Sequence, residues 1–148
     1  MRIRDVVTGL FVVSLLAGCS KTTPESPAAS VAPPVNVGAD QPLIGTHWVA
    51  QSVRGIKVDI PKPPTAVFGT NEIVTGTNGC NQYHGPFQDT GGGLLLGPLA
   101  STMMACEPDI EVVSQGFDSI MDGHATYSLT GSSLTIINTE GTIVFHAK

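Results

Sequence analysis

Three side chains that could carry out chemistry lie at the two ends of one segment, residues 79–106. Cys80 and His84 occur in the sequence GCNQYHG, and Cys106 ends the sequence STMMAC. Thiolates and an imidazole are zinc ligands, and a cysteine close to a histidine can also be a nucleophile with its base. Two cysteines can equally form a disulfide. These residue types therefore leave three possibilities open: a zinc site, a nucleophile and a covalent crosslink.

The spacing gives the zinc site and the nucleophile little support. Three residues separate Cys80 from His84, which is a loose ligand spacing, and no fourth ligand is evident. No acidic residue is evident to orient the histidine, and Ser101 and Thr102 lack the Gly-x-Ser-x-Gly pattern of a nucleophile elbow. Ligand spacing is also absent among the other histidines, His47, His124 and His146. We therefore expect no metal, no cofactor and no catalytic residue, and the chain is predicted not to be an enzyme.

The first 18 residues have the pattern of an export signal. Arg2 and Arg4 form a short basic start, and the apolar run that follows would span about 16 Å as a helix, too short to cross a bilayer. The run ends in Leu-Ala-Gly-Cys at residues 16–19, which resembles the lipobox of bacterial lipoproteins. The resemblance implies that residues 1–18 are a removed signal peptide and that Cys19 carries lipid, including palmitate. It also implies an exported protein anchored to a bacterial membrane, on its periplasmic or extracellular face.

Lipidation of Cys19 leaves two of the three cysteines, Cys80 and Cys106, on the exported side of the membrane. Disulfides persist in that environment. We therefore expect these two cysteines to pair, closing a loop of about 27 residues and stabilising the fold by about 3.6 kcal/mol. Two buried free thiols remain the alternative.

Composition divides the rest of the chain into a tether and one domain. After Cys19, residues up to 41 are rich in Ser, Thr, Pro and Ala with few large apolar side chains, so residues 19–41 are predicted to be a tether. The domain is expected to cover residues 42–148. Charged residues make up only 13% of the chain, with 17 Gly and 11 Pro, which indicates a β-rich domain with many turns. The net charge is -5 without a basic stripe, so nucleic-acid binding has no electrostatic basis.

Short strands and one helix must position the segment between the cysteines. Alternating apolar residues and turn residues predict strands at residues 46–53, 56–60, 66–68, 73–76, 94–96, 125–129, 133–137 and 142–147. Pro108 and Gly123 bound a predicted helix. Helical spacing places five apolar residues on one of its faces: Ile110, Val113, Phe117, Ile120 and Met121. This face is expected to pack on the sheet.

With these elements in place, residues 43–147 resemble the META domain family, the HslJ-type envelope proteins. The resemblance rests on the single Trp in the first strand, on GCNQYHG at 79–85 and on GPLASTMMAC at 97–106, in the family's order. It implies a mainly β (α+β) fold, an antiparallel, incompletely closed β-barrel with one α-helix across the gap. It also implies the motif residues Trp48, Gly79, Asn81, Tyr83, Gly85, Thr102 and Met104. Members are often lipoproteins linked with heat induction, antibiotic tolerance, motility or virulence, and the family has no established catalytic activity.

Two functions follow as expectations. The first is a non-enzymatic, lipid-anchored envelope protein that acts in stress or stability, or that contacts another envelope protein, with the lipid on Cys19 as its membrane contact. The alternative is a barrel that binds a small apolar ligand or an acyl chain. Met103 and Met104 are predicted to pack in the core or at its rim; if exposed, they would form an adaptable apolar patch. Asn81 and its flanking glycines are interpreted as turn residues.

Overall fold

A computed structural model describes residues 43–148 of the chain. The predicted signal peptide (residues 1–18), the lipidated Cys19, the tether (residues 19–41) and residue 42 lie outside the described residues. Between residues 43 and 148, the single α-helix is too short and too polar to cross a lipid bilayer.

The described residues form strands and one helix. Their bounds are β1 Thr46–Val53, β2 Ile56–Lys57, β3 Thr65–Phe68, β4 Ile73–Thr77, β5 Gln82–Asp89, β6 Gly93–Leu96, β7 Ala100–Ser101, α1 Pro108–Ile120, β8 Gly123–Thr130, β9 Ser133–Asn138 and β10 Gly141–Ala147. Every strand pairing is antiparallel. The predicted strand at 56–60 is wrong beyond its first two residues. Pro61, Pro63 and Pro64 follow it, and a residue without an N–H cannot extend a strand ladder.

Eight strands close into a barrel in the order β1-β3-β4-β5-β6-β8-β9-β10, and β10 returns to β1. β2 pairs with the last two residues of β1, beyond the part of β1 that pairs with β3, and β7 pairs with the first half of β5. The predicted antiparallel barrel with one helix is confirmed. The expectation of an incompletely closed barrel is wrong, because β1 and β10 pair and close the ring, from Trp48 opposite Ala147 to Val53 opposite Ile143. A bulge between Ala50 and Ser52 adds local twist, which favours closure of the ring.

Helix α1 fills one end of this barrel instead of bridging a gap. The ring of Phe117 lies 5.5 Å from that of Tyr83 on β5 and 6.1 Å from that of Phe145 on β10, measured between centroids. β5 and β10 are on opposite sides of the eight-strand ring, so this one side chain reaches across the interior. Its neighbours Ile120 and Met121 are also fully buried. The predicted apolar face of the helix is therefore the face that closes the barrel end.

Side chains fill the barrel interior. Alternate residues of the strands point inward, and Phe68 and Phe87 pack edge to face with their ring centroids 5.0 Å apart. The largest fully buried side chains come from all around the ring and from the helix: Leu43, Phe68, Phe87, Leu94, Leu96, Phe117, Ile120, Met121, Leu134, Ile136, Ile143 and Phe145. The barrel is thus built around a packed apolar core, which supplies the main driving force for folding.

Candidate functional site

A disulfide joins Cys80, two residues before β5, to Cys106, two residues before α1. The Cα atoms are 6.0 Å apart, within the ordinary range for a crosslink. The prediction of this pairing is confirmed. A zinc site or a nucleophile built on these cysteines would need a free thiolate. The disulfide leaves neither Cys80 nor Cys106 with a free thiolate for either role. His84 lies on the outer, exposed face of β5.

Asn78, a residue that sequence reasoning did not single out, is the buried polar centre of the site. It is 1% exposed. Its Oδ1 accepts hydrogen bonds from the backbone N–H groups of Cys80 (3.0 Å) and Asn81 (2.6 Å). Its Nδ2 donates to both carboxylate oxygens of Asp118 on helix α1, at 3.0 and 2.8 Å. One amide therefore shapes the cysteine turn and ties it to the helix that fills the barrel end.

Burial sets the protonation of the groups around Asn78. The pKa of Asp118 is raised above its ordinary value, because desolvation outweighs the opposing effect of the hydrogen bond from Asn78. The pKa of Tyr83 is also raised, first by burial and then by the nearby Asp118 charge. The Tyr83 hydroxyl donates to the backbone oxygen of Thr65 at 2.8 Å, which links β5 to β3 across β4. The raised pKa keeps this phenol in its neutral form.

Residues 102–106, here called the clasp loop, are fastened to the barrel by Asn81. Its Oδ1 accepts from the Met104 N–H at 2.8 Å and from the Thr102 hydroxyl at 3.0 Å. The Thr102 Oγ1 accepts in turn from the N–H of Gln82 at 3.1 Å, and the Thr102 N–H donates to the Gln82 oxygen at 3.0 Å. With the disulfide at its far end, the clasp loop is held by covalent and polar links at both ends.

Two motif glycines permit this arrangement. Gly79 has φ 101°, a conformation that side chains rarely adopt, and it begins the turn into Cys80. At Gly85 a Cβ atom would lie 2.7 Å from Leu99 Cδ2 and 3.0 Å from the Pro98 oxygen. The absence of a side chain there lets the chain entering β7 pass close over β5. The GCNxYxG pattern therefore specifies a turn, followed by a position at which the chain entering β7 passes close to β5.

The two adjacent methionines of the clasp loop face solvent. Met103 is 97% exposed and Met104 is 58% exposed, so the prediction that they pack in the core or at its rim is wrong. The barrel interior is already filled, and the loop is fastened to the outside through backbone groups instead of through these side chains. Two neighbouring exposed thioethers form an apolar patch of the adaptable kind that binding surfaces use.

A cleft of about 260 Å³ lies between the clasp loop and helix α1. Asn81 and Met104 line one wall, Glu111 and Gln115 line the helix side, and Asp118 is shared with a second cleft beside Leu99. Five acidic residues fall in or next to this helix: Glu107, Asp109, Glu111, Asp118 and Asp122. The residues that line the cleft include no Lys or Arg; the nearest cation along the helix is Arg54, which bonds to Ser119. The cleft itself is thus negatively charged and suited to contact a cationic group.

Side chains of the described part, residues 43–148, include no cluster of three or more His, Cys, Asp or Glu placed to hold a metal ion. The structure brings most of the predicted motif residues together around the disulfide: Gly79, Asn81, Tyr83, Gly85, Thr102 and Met104. Trp48 is the exception. It is 4% exposed in the barrel core, and its Nε1 donates to Thr46 Oγ1 at 2.6 Å.

Comparison with known proteins gives a consistent picture. The family model for the META domain matches residues 41–148. The "Heat shock protein HslJ" of Escherichia coli (strain K12) is 28% identical over 101 residues, which cover 67% of this chain and 71% of that protein. A protein solved by NMR has a TM-score of 0.61 and 27% identity over 69% of this chain and 88% of its own. An NMR structure from Burkholderia xenovorans also has a TM-score of 0.61, over 85% of this chain and 99% of its own; at 21% identity it supports the fold alone.

Proposed function

The chain belongs to the META domain family, and from that membership we propose that it is an exported, lipid-anchored envelope protein without enzymatic activity. In this proposal it docks onto another protein through the Met surface, defined as Met103, Met104 and the adjoining cleft beside α1. The observation that carries the proposal is the exposure of two neighbouring methionines on a loop that is fastened at both ends.

Fastening matters because a docking loop that is already ordered loses less conformational entropy when it binds. The disulfide and the Asn81 hydrogen bonds hold the backbone of the clasp loop. The methionine side chains stay flexible, so they can adapt to the surface of a partner. A rigid backbone with adaptable side chains suits protein recognition.

Charge favours one kind of partner. The cleft contains Glu111 and Asp118, and no Lys or Arg is among the residues that line it. An anionic membrane surface would be repelled by such a site. A partner segment with Lys or Arg next to apolar residues would fit both the carboxylates and the methionines, with attraction between the charges increasing the association rate.

The Met surface lies at the end of the barrel opposite the start of β1. The chain enters β1 at Thr46, opposite Phe68. The clasp loop lies at the other end of these strands, where Thr65 faces Thr77 and Thr77 faces Gln82. The disulfide fits an exported protein, because such bonds persist outside the cytoplasm.

A filled interior removes the main support for the alternative of a barrel that carries an apolar ligand. Such a carrier needs an enclosed apolar cavity, and Phe117 occupies the space between opposite walls of this barrel. The similar HslJ is named a heat shock protein. We therefore place the proposed docking in the response of the cell envelope to heat.

Site-specific photo-crosslinking in living cells tests the proposal. Ala105 is exposed and lines the cleft, whereas Ser132 is exposed in the β8–β9 hairpin at the opposite end of the barrel. A photoreactive amino acid at position 105 should capture a specific envelope protein, more strongly after a heat shift, and the same probe at position 132 should not. Replacement of both methionines by Ser should reduce the capture by about tenfold or more. Equal capture from both positions, or capture that the double Ser replacement leaves unchanged, would refute docking through the Met surface.

A further inference from the structure

We propose that Met103 and Met104 are an oxidant-responsive modification site, at which conversion to methionine sulfoxide weakens docking without disturbing the fold. The chemical part of this inference depends only on exposure and on how the clasp loop is held. Its consequence for docking depends on the function proposed above.

The described methionines differ sharply in accessibility. Met103 is 97% exposed and Met104 is 58% exposed, whereas Met121 is fully buried where α1 closes the barrel. An oxidant in solution can reach the first two sulfurs in the folded protein. It can reach the third only when the helix opens, and unfolded fractions of folded proteins are about 10⁻³ to 10⁻⁶. The protein thus contains its own unreactive reference methionine.

The reaction needs an electrophilic oxygen donor, such as hydrogen peroxide or hypochlorous acid. The thioether sulfur attacks an oxygen of the donor, an S–O bond forms, and the O–O or Cl–O bond breaks. Sulfur loses two electrons and the donor gains them. With peroxide the departing hydroxide takes the proton of the new S–OH group and leaves as water; with hypochlorous acid chloride departs and that proton passes to solvent. The product is a polar sulfoxide, which methionine sulfoxide reductases return to the thioether.

The fold should tolerate this change because the clasp loop is not held by its methionine side chains. Asn81 bonds the backbone N–H of Met104 and the hydroxyl of Thr102, and the disulfide fixes Cys106. Oxidation alters none of these links. It does convert an apolar, flexible patch into a polar one, and this removes the apolar contribution of the Met surface to binding.

The order of oxidation tests the site. The full chain is treated with a range of hydrogen peroxide concentrations, and sulfoxide is quantified at each methionine by peptide mass spectrometry. Met103 and Met104 should oxidise at least about a hundredfold faster than Met121, since the buried sulfur reacts only through opened states. The protein with only the exposed pair oxidised should keep its midpoint of thermal unfolding. Oxidation of Met121 at a similar rate, or unfolding caused by oxidation of the exposed pair, would overturn the proposal.

The docking consequence has a separate test with a matched control. Replacement of Met103 and Met104 by Leu keeps an apolar surface but removes the oxidisable sulfurs. With the photoreactive probe at position 105, peroxide should reduce capture in the native protein about tenfold and leave capture unchanged in the Leu variant. Undiminished capture by the oxidised native protein would overturn the regulatory role. If capture occurs under no condition, the proposed function fails, while the order of oxidation still tests the modification site.

Discussion

Asn78 is predicted to be one of the most important single side chains for stability, although it contributes no apolar contact to the core. Replacement of Asn78 by Ala would remove four hydrogen bonds: two from backbone N–H groups of the cysteine turn and two to the carboxylate of Asp118. The neutral bonds contribute about 0.5–1.5 kcal/mol each and those to a charged group about 1.5–3 kcal/mol, without strict additivity. We expect a loss of about 3–5 kcal/mol, a large part of a typical stability of about 5–15 kcal/mol.

Urea unfolding of the full chain, with its disulfide intact, measures this loss. The matched control is Asn71→Ala, which truncates an exposed asparagine in a turn and should change the free energy of unfolding by less than about 0.5 kcal/mol. A loss below about 1 kcal/mol for Asn78→Ala would contradict the assigned role.

Exchange of the two polar groups provides a sharper version of the test. Asn78→Asp places a second carboxylate against Asp118, whereas Asp118→Asn removes the charge that the Asn78 amide contacts. The double exchange restores one carboxylate facing one amide and leaves an oxygen to accept from the N–H groups of the turn. It should therefore be more stable than the sum of the single changes by about 1–3 kcal/mol. Strict additivity would refute a direct contact between the cysteine turn and the helix.

Three further predictions concern protonation and the crosslink. The pKa of Asp118 is raised, so the folded state binds this proton more tightly than the unfolded state does. The stability gained from the bound proton is complete below the ordinary pKa of 3.8 and is lost as the pH rises through the folded-state pKa. Unfolding measured from about pH 4 to neutrality should show this loss in the native protein and not in Asp118→Asn. Burial and then the hydrogen bond to Asp89 raise the pKa of Tyr127 to about 12. A titration followed by phenolate absorbance should therefore show no tyrosine titrating near 10. Tyr127→Phe should remove the titration near 12. Replacing Cys80 and Cys106 by Ala should lower the free energy of unfolding by about 3.6 kcal/mol, measured against native protein in the absence of reductant; an unchanged value would contradict the stabilising role of the crosslink.

The sequence pattern predicted the helix and most strands because their signals are local. Pro108, the apolar spacing to Met121 and Gly123 together define α1. β5 was not predicted as a strand, because Gly85 and Pro86 normally interrupt one. In the structure Gly85 makes room for the crossing chain, and Pro86 pairs with Ile73 while its carbonyl accepts from Gly97.

The features that sequence reasoning missed depend on residues far apart in the chain. Closure of the barrel needs β10 to pair with β1, across almost the whole domain. The bond between Asn78 and Asp118 spans 40 residues. The only local signals are an asparagine directly before Gly-Cys-Asn and an aspartate directly after the apolar Phe117. The prediction for Met103 and Met104 was wrong because it followed a general rule that apolar residues are usually buried. Only the structure shows that other side chains already fill the barrel, so these two remain outside.

Binding strength between this protein and the partner captured at position 105 is the decisive quantity, measured for three forms of the Met surface. Replacement of Met103 and Met104 by Leu keeps the patch apolar and should leave the dissociation constant within about threefold of the native value. Replacement of both by Ser should raise it by about tenfold or more, as expected for the loss of at least about 1.4 kcal/mol of contact energy. A Ser variant that binds as tightly as the native protein would contradict the proposal that these two residues form the docking surface.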